Sequence, residues 1–279
     1  MALRNTHVQY DDPFWKPIEL VVFDVDGTLY AQRPLRVRML IALFLHTLAS
    51  GSLETVQVLK HFRRIREELG HEETQNFEER LLERTSKTTG TSPEKIAAIV
   101  HEWIEVRPLS YLKACRYSGL TQVFQTLRSR GIKIGVFSDY PASQKLKVMD
   151  LEADFVMSAE DPTVRVLKPN PLGLIQLMEK AQAKPSTTLM IGDRIDRDGE
   201  AAKRAGTHCL IRSTKSLPGW SCFKSYEEAP FSGLGANPSI SKTDTHGTPA
   251  MKNLAVWIIL ALMLVSLSLG IVILTVLQR

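Results

Sequence analysis

The sequence predicts an α/β fold: a doubly wound parallel sheet interrupted by an inserted block of helices, with one transmembrane helix at the C-terminus. Three observations predict it. Five short runs rich in Val, Ile, Leu and Phe lack clean alternation, as strands buried on both faces do. Helical patterns separate the later runs, which is the signature of parallel strands joined by crossovers. Residues 254–277 form a run of 24 without a charge, interrupted only by Ser266, Ser268 and Thr275 as polar side chains.

The strands are expected at 18–23, 133–137, 154–157, 188–191 and 208–211. Helices over 120–130, 172–183 and 198–205 lie between the later ones. Each has a breaker behind it, in Gly131, Pro185 and Gly206. Between the first and second strands the pattern changes, and helices are expected at 34–48, 52–69, 74–87 and 92–106. Ser92-Pro93-Glu94 starts the last of these with a capping hydroxyl, Pro at the first helical position and early negative charge. Leu59, Phe62, Ile65 and Leu69 give the second an apolar face, and the basic cluster at 60–66 reads as its solvated face. Residues 39–45 are strongly apolar and read as core of the insertion, with contact to a lipid substrate as the alternative. The resulting division is 1–30 and 117–226 for the sheet domain, 31–116 for the helical insertion, 227–250 for a Gly/Pro/Ser/Thr-rich linker and 251–279 for the membrane anchor.

At about 1.5 Å per residue the uncharged run reaches about 36 Å, enough to cross a hydrocarbon core of roughly 30 Å. Residues 1–14 lack the continuous apolar stretch of a secretory signal. Lys242 and Lys252 precede the span and Arg279 follows it, a bias that predicts a cytoplasmic catalytic domain. A formal net charge of +5 is too small to point to nucleic acid. Cys115, Cys209 and Cys222 are far apart and form no CxxC pair, which argues against a disulfide framework and a structural zinc site.

In open α/β sheets the ligand site lies beyond the carboxyl ends of the strands. There the sequence places Asp24-Val25-Asp26-Gly27-Thr28 after the first strand and Ser138-Asp139 after the second. Gly192-Asp193, Asp196 and Asp198 follow the fourth, and Lys168-Pro169 lies between. Clustered carboxylates repel unless a cation sits among them, and Mg²⁺ takes hard oxygen ligands and phosphate oxygens alike. A carboxylate that attacks phosphorus divides one difficult displacement into two.

Asp24-Val25-Asp26-Gly27-Thr28, Ser138, Lys168 and Asp193 with Asp198 resemble, in chain order, the four motifs of the haloacid dehalogenase-like (HAD) superfamily, over about residues 18–212. The resemblance implies a Rossmann-like core with a helical cap. It makes Asp24 the nucleophile and a metal ligand, and Asp26 the acid–base residue whose carbonyl also binds Mg²⁺. It gives Ser138 and Lys168 to the phosphoryl oxygens, Asp193 to the metal and Asp198 to a supporting role. Asp139 either caps the next helix or touches substrate, Tyr30 either packs the hinge or lines the pocket, and Arg194 and Arg197 read as surface ion-pair partners. Asp196 has no assigned role. The expected activity is phosphomonoester hydrolysis at a membrane, on a small phosphorylated molecule or a lipid phosphate. Phosphoryl transfer to another acceptor, as in a mutase, and a non-catalytic membrane-tethered scaffold are the alternatives.

Overall fold

The computed structural model describes residues 13–234. Six strands, β1 (Leu20–Phe23), β2 (Lys133–Ser138), β3 (Phe155–Ser158), β4 (Thr188–Gly192), β5 (His208–Arg212) and β6 (Cys222–Phe223), form one sheet in the order β3-β2-β1-β4-β5-β6. Every pairing is parallel. The chain builds outward from β1 to β3 on one side, then returns beside β1 at β4 and builds the other way. That reversal creates a crevice at the carboxyl ends of β1 and β4.

The missing alternation has a direct cause. Val21 and Phe23 pack against Leu120, Val123, Phe124 and Leu127 of α6 (Leu120–Ser129) on one face. Leu20 and Val22 pack against Leu174, Leu177 and Met178 of α8 (Leu172–Ala181) on the other. A strand covered on both faces needs apolar side chains at every position.

Between β1 and β2 lies the helical cap: α1 (Gln32–Ser50), α2 (Glu54–His71), α3 (Phe77–Thr89), α4 (Pro93–Val100) with a π-helical continuation His101–Val106, and α5 (Leu109–Cys115). Ser92 caps α4 by accepting the Lys95 amide at 3.4 Å. Leu59, Phe62, Ile65 and Leu69 of α2 meet Phe77, Leu81, Ile96 and Trp103, and the same cluster takes in Ala159 and Leu167 from the sheet domain. The two crossings between cap and sheet domain hydrogen-bond to each other, Ala31 N to Cys115 O at 2.9 Å and Tyr117 N to Leu29 O at 3.1 Å.

Several expectations are corrected. The sequence pattern missed α5, α7 (Ser143–Val148) and β6, which are too short to show a period. The helix expected from 198 opens as a π-turn, Ile195–Gly199, and becomes α-helical as α9 (Glu200–Ala205). Residues 227–234, read as linker, are packed: Phe231 and Leu234 are buried beside Phe223 and Tyr226, and Trp15 Nε1 donates to Pro230 O at 2.8 Å. Residues 39–45 do not all lie in the cap core, since Leu40 and Leu45 are exposed. Arg66, counted with the solvated face of α2, is buried. The rest of the linker and the uncharged run at 254–277 lie outside the described residues. Among the described residues no helix is long and apolar enough to cross a membrane.

Candidate active site

Asp24 follows β1 and is nearly buried, its amide tied to Ile191 O at 2.8 Å. Its Oδ1 accepts from Lys168 Nζ at 2.6 Å and its Oδ2 from the Thr28 hydroxyl at 2.8 Å. Lys168, only 2% exposed, also donates to Asp198 Oδ1 at 2.7 Å. Asp198 Oδ2 accepts the amides of Asp193 and Arg194, both at 3.1 Å, and so shapes the loop that carries Asp193. Two glycines make this approach possible. A side chain on Gly27, which sits at φ +104°, would collide with the Asp193 carboxylate, and one on Gly192 would collide with Asp198.

The charges do not balance. Burial raises Asp24 most; Lys168 pulls it back, but Asp198, Asp193 and Asp26 push it up again, so it stays well above the usual carboxylate range. Burial and then Asp198 push Asp193 up to about 7. Lys168 is held charged, because Asp198 and Asp24 outweigh the effect of its burial. Asp24, Asp193 and Asp198 each offer an oxygen within 4.8 Å of the others. Among the described residues the Asp193 carboxylate makes no hydrogen bond or ion pair. An acidic cluster with surplus negative charge and one uncommitted carboxylate fits a hard divalent cation such as Mg²⁺.

Asp26 points to a different partner, which the sequence did not reveal. Lys145, buried on α7, donates to Asp26 Oδ1 and Oδ2 at 2.7 and 2.9 Å. The Tyr30 hydroxyl donates to Oδ1, and Gln32 Nε2 to the Asp26 carbonyl. Burial works to raise Asp26, but the Lys145 charge and the hydrogen bonds from Lys145 and Tyr30 prevail and hold it below the ordinary value. Tyr30 thus belongs to both readings offered for it, buried at the hinge and bonded into the site. Nothing in Ser143-Gln144-Lys145-Leu146-Lys147 separates Lys145 from Lys147, which is exposed; the short helix alone decides which one turns inward. Lys145→Met is expected to lower kcat by roughly 10²-fold, within the range by which positioned acid–base groups act. A steady-state assay with an unchanged far-UV spectrum checks it, and wild-type kcat would remove Lys145 from the site.

Ser138 ends β2, fully buried, its hydroxyl accepting the Tyr140 amide at 3.2 Å. Asp139 does not cap α7; its Oδ1 accepts the Lys168 amide at 3.0 Å and so positions that loop.

Arg194 and Arg197 do form ion pairs, but with the cap. Arg194 grips Glu67 of α2 with two bonds, at 2.9 and 3.1 Å, and Arg197 reaches the same carboxylate at 2.8 Å. Arg197 is buried, and its other nitrogen donates to Lys168 O, contrary to the surface reading. Asp196 pairs with Arg194 at 2.6 Å. Arg204 holds Glu73 at 2.6 and 2.9 Å, and Arg66 reaches from α2 to Asp139 O and to Glu160 at 3.2 Å. The cap therefore sits on the site through α2. Glu67→Gln should change global stability by less than about 1 kcal/mol, because half-exposed pairs are screened. It should nonetheless speed amide exchange across α2, where the cap opens locally; unchanged exchange there would show that the clamp does not hold the cap.

Comparison with known proteins gives the family and the fold in which this geometry is set. Residues 18–206 match the haloacid dehalogenase-like hydrolase family. A glyceraldehyde 3-phosphate phosphatase of Methanopyrus kandleri is 29% identical over 68% of this chain and 81% of its own length. The pyrophosphatase PpaX of Halalkalibacterium halodurans is 30% identical over 70% of this chain and 83% of its own. Among solved structures, β-phosphoglucomutase of Clostridium difficile superposes with a TM-score of 0.54 at 17% identity, covering 77% of this chain and 94% of that one. CbbY of Rhodobacter sphaeroides, solved with phosphate, gives 0.52 at 18%, covering 78% and 99%. The carboxylates gathered after β1 and β4 are thus set in a sequence and a fold held in common with these proteins, and the chain belongs to the haloacid dehalogenase-like hydrolase family.

Proposed function

We propose that the protein is a Mg²⁺-dependent phosphomonoester hydrolase held at a membrane by its C-terminal segment. The observation that carries the reading is the meeting of Asp24, Asp193 and Asp198 around Lys168 at the switch point of the sheet.

In this reading an Asp24 oxygen attacks phosphorus, the bond from phosphorus to the leaving oxygen breaks, and an aspartyl-phosphate forms. Lys168 and the Ser138 hydroxyl hold phosphoryl oxygens. Asp26 delivers a proton to the leaving oxygen and then takes one from the water that attacks the aspartyl-phosphate, releasing phosphate and restoring Asp24. The Lys145 ion pair holds Asp26 in the ionised form that the second half-reaction uses. The first half-reaction needs the proton on Asp26 and works against that pair. Asp24, Asp193 and the Asp26 carbonyl would hold Mg²⁺, which supplies charge neutralisation on the transferring group. The Asp26 carbonyl has one lone pair engaged by Gln32 and one to offer. The cap over the site supports exclusion of bulk water.

The membrane part of the reading is supported by the 24 uncharged residues at 254–277, with the catalytic unit on the cytoplasmic side as the excess of Lys242 and Lys252 before the run over Arg279 after it favours. A panel of triose phosphates, pyrophosphate, sugar phosphates and lipid phosphates, assayed with the full chain, tests the function. Phosphate release should need Mg²⁺ and stop on chelation with EDTA. Turnover undiminished by exhaustive chelation would sink the metal-dependent mechanism. Protease digestion of sealed vesicles tests the orientation, and cleavage of the catalytic unit from the non-cytoplasmic side would reverse it.

A further inference from the structure

α1 carries no acidic residue, and its apolar side chains exceed what the cap can bury. Leu35 is buried, and Met39, Ala42 and Leu43 pack against the two neighbouring clusters, which accounts for one side of the helix. On the other side Leu40, Ile41, Phe44, Leu45 and Leu48 are exposed, Leu40 and Leu48 each by 64% and Leu45 by 58%. Positions 41, 44, 45 and 48 follow the i, i+3, i+4, i+7 spacing of one helical face, and 40 adjoins it. Leu53, just past the helix, extends the patch. Arg33, exposed, lies two turns before Leu40 on the same line of the helix, and Arg36, also exposed, lies one turn before it at the edge of the patch. Contiguous apolar surface of this kind rimmed by cations marks a contact site rather than a solvated face.

We propose that this face of α1 lies in the headgroup–acyl boundary of an anionic bilayer, so that the catalytic unit rests on the membrane instead of swinging above it. The proposal rests on the anchoring reading for its occupant. Residues 254–277 are apolar on every face of a helix, so a single stripe on α1 could not cover them, whereas a bilayer covers both. Residues 235–253 are all that separate the described domain from that run, and a chain of their number reaches at most about 65 Å even when fully extended. The patch therefore meets the membrane at high effective concentration, and even weak insertion becomes persistent. Arginines without carboxylates on the same helix match anionic headgroups. The consequence reaches the chemistry. α1 begins at the site, where Gln32 bonds to the Asp26 carbonyl and Arg36 to Gln32, so a helix lying in the headgroups brings phosphate-bearing lipids to the mouth of the cap.

The test uses the full chain, one copy per lipid nanodisc containing phosphatidylserine. An environment-sensitive fluorophore is placed by Leu45→Cys, with Arg64→Cys on the exposed side of α2 as control and the labelled parent as background. Emission at position 45 should shift to the blue, lose several-fold of its iodide quenching and be quenched by acyl-brominated lipid, while position 64 does none of these. Leu40→Asp with Leu48→Asp should abolish the effect at 45 and leave turnover of water-soluble substrates unchanged. An aqueous signal at 45 in a chain that still inserts into the disc overturns the inference and leaves anchoring intact; a chain that fails to insert overturns both. A blue shift without quenching by brominated lipid assigns the face to the chain's own tail, and one that needs two chains per disc assigns it to a second copy. Either result overturns the proposal.

Discussion

Lys168→Met should unfold more easily than any other single change at the site, losing roughly 3–5 kcal/mol, the usual loss when one partner of a buried ion pair is removed. The reason is that Lys168 is the shared counter-charge of Asp24 and Asp198, at 2.6 and 2.7 Å, and among the described residues no other cation pairs with either carboxylate. For a domain of this size that corresponds to a fall in Tm on the order of 10 °C, read by thermal denaturation in EDTA. Adding Asp198→Asn to Lys168→Met should recover part of the stability, since it removes one of the stranded carboxylates, and none of the activity. A single variant that melts within about 2 °C of wild type would mean that Lys168 is not the counter-charge that the buried carboxylates require, and the charge arrangement described above would be wrong.

Asp24→Asn should do the opposite: turnover falls by at least about 10³-fold, as expected when a covalent nucleophile is lost, while Tm stays level or rises. The carboxylate is held above its usual range by burial and by Asp198, Asp193 and Asp26 despite Lys168, so an amide in its place relieves repulsion. Lys168 keeps its bond to Asp198. Stability and activity moving in opposite directions is the mark of a group placed for chemistry at the expense of folding. The measurement is phosphate release beside a melting curve on the same preparation. Activity within tenfold of wild type would remove Asp24 as nucleophile, whatever the melting curve shows.

Legibility differed from residue to residue for identifiable reasons. The acids after β1 and β4 could be found because a parallel sheet delivers every strand's carboxyl end to one edge, so position in the chain stands for position in space. Lys168 was harder to place, since no strand precedes it directly; its position between the second and fourth strands brought it to the same edge, and the resemblance to a family motif gave it a role. Lys145 could not be found at all, because α7 is six residues long and too short for a period to indicate its inward face. Glu67 looked like one charge among many on α2; its meaning depends on Arg194 and Arg197, more than a hundred residues away. Residues 39–45, expected in the cap core, divided between core and surface for a different reason. Hydropathy states that a side chain favours burial, but whether the cap has room for it depends on how much surface α2 to α5 already cover.

What the sequence determined by itself is therefore whatever local chemistry and strand order impose: the alternation of strand and helix, the acidic edge, the insertion between β1 and β2, and the uncharged run near the end. What only the tertiary structure decided is which charges meet. Lys145 finds Asp26, Glu67 finds Arg197, and one side of α1 is left facing outward, because electrostatic pairing and burial act through space and fall off within a few ångströms, a distance that separation along the chain does not encode.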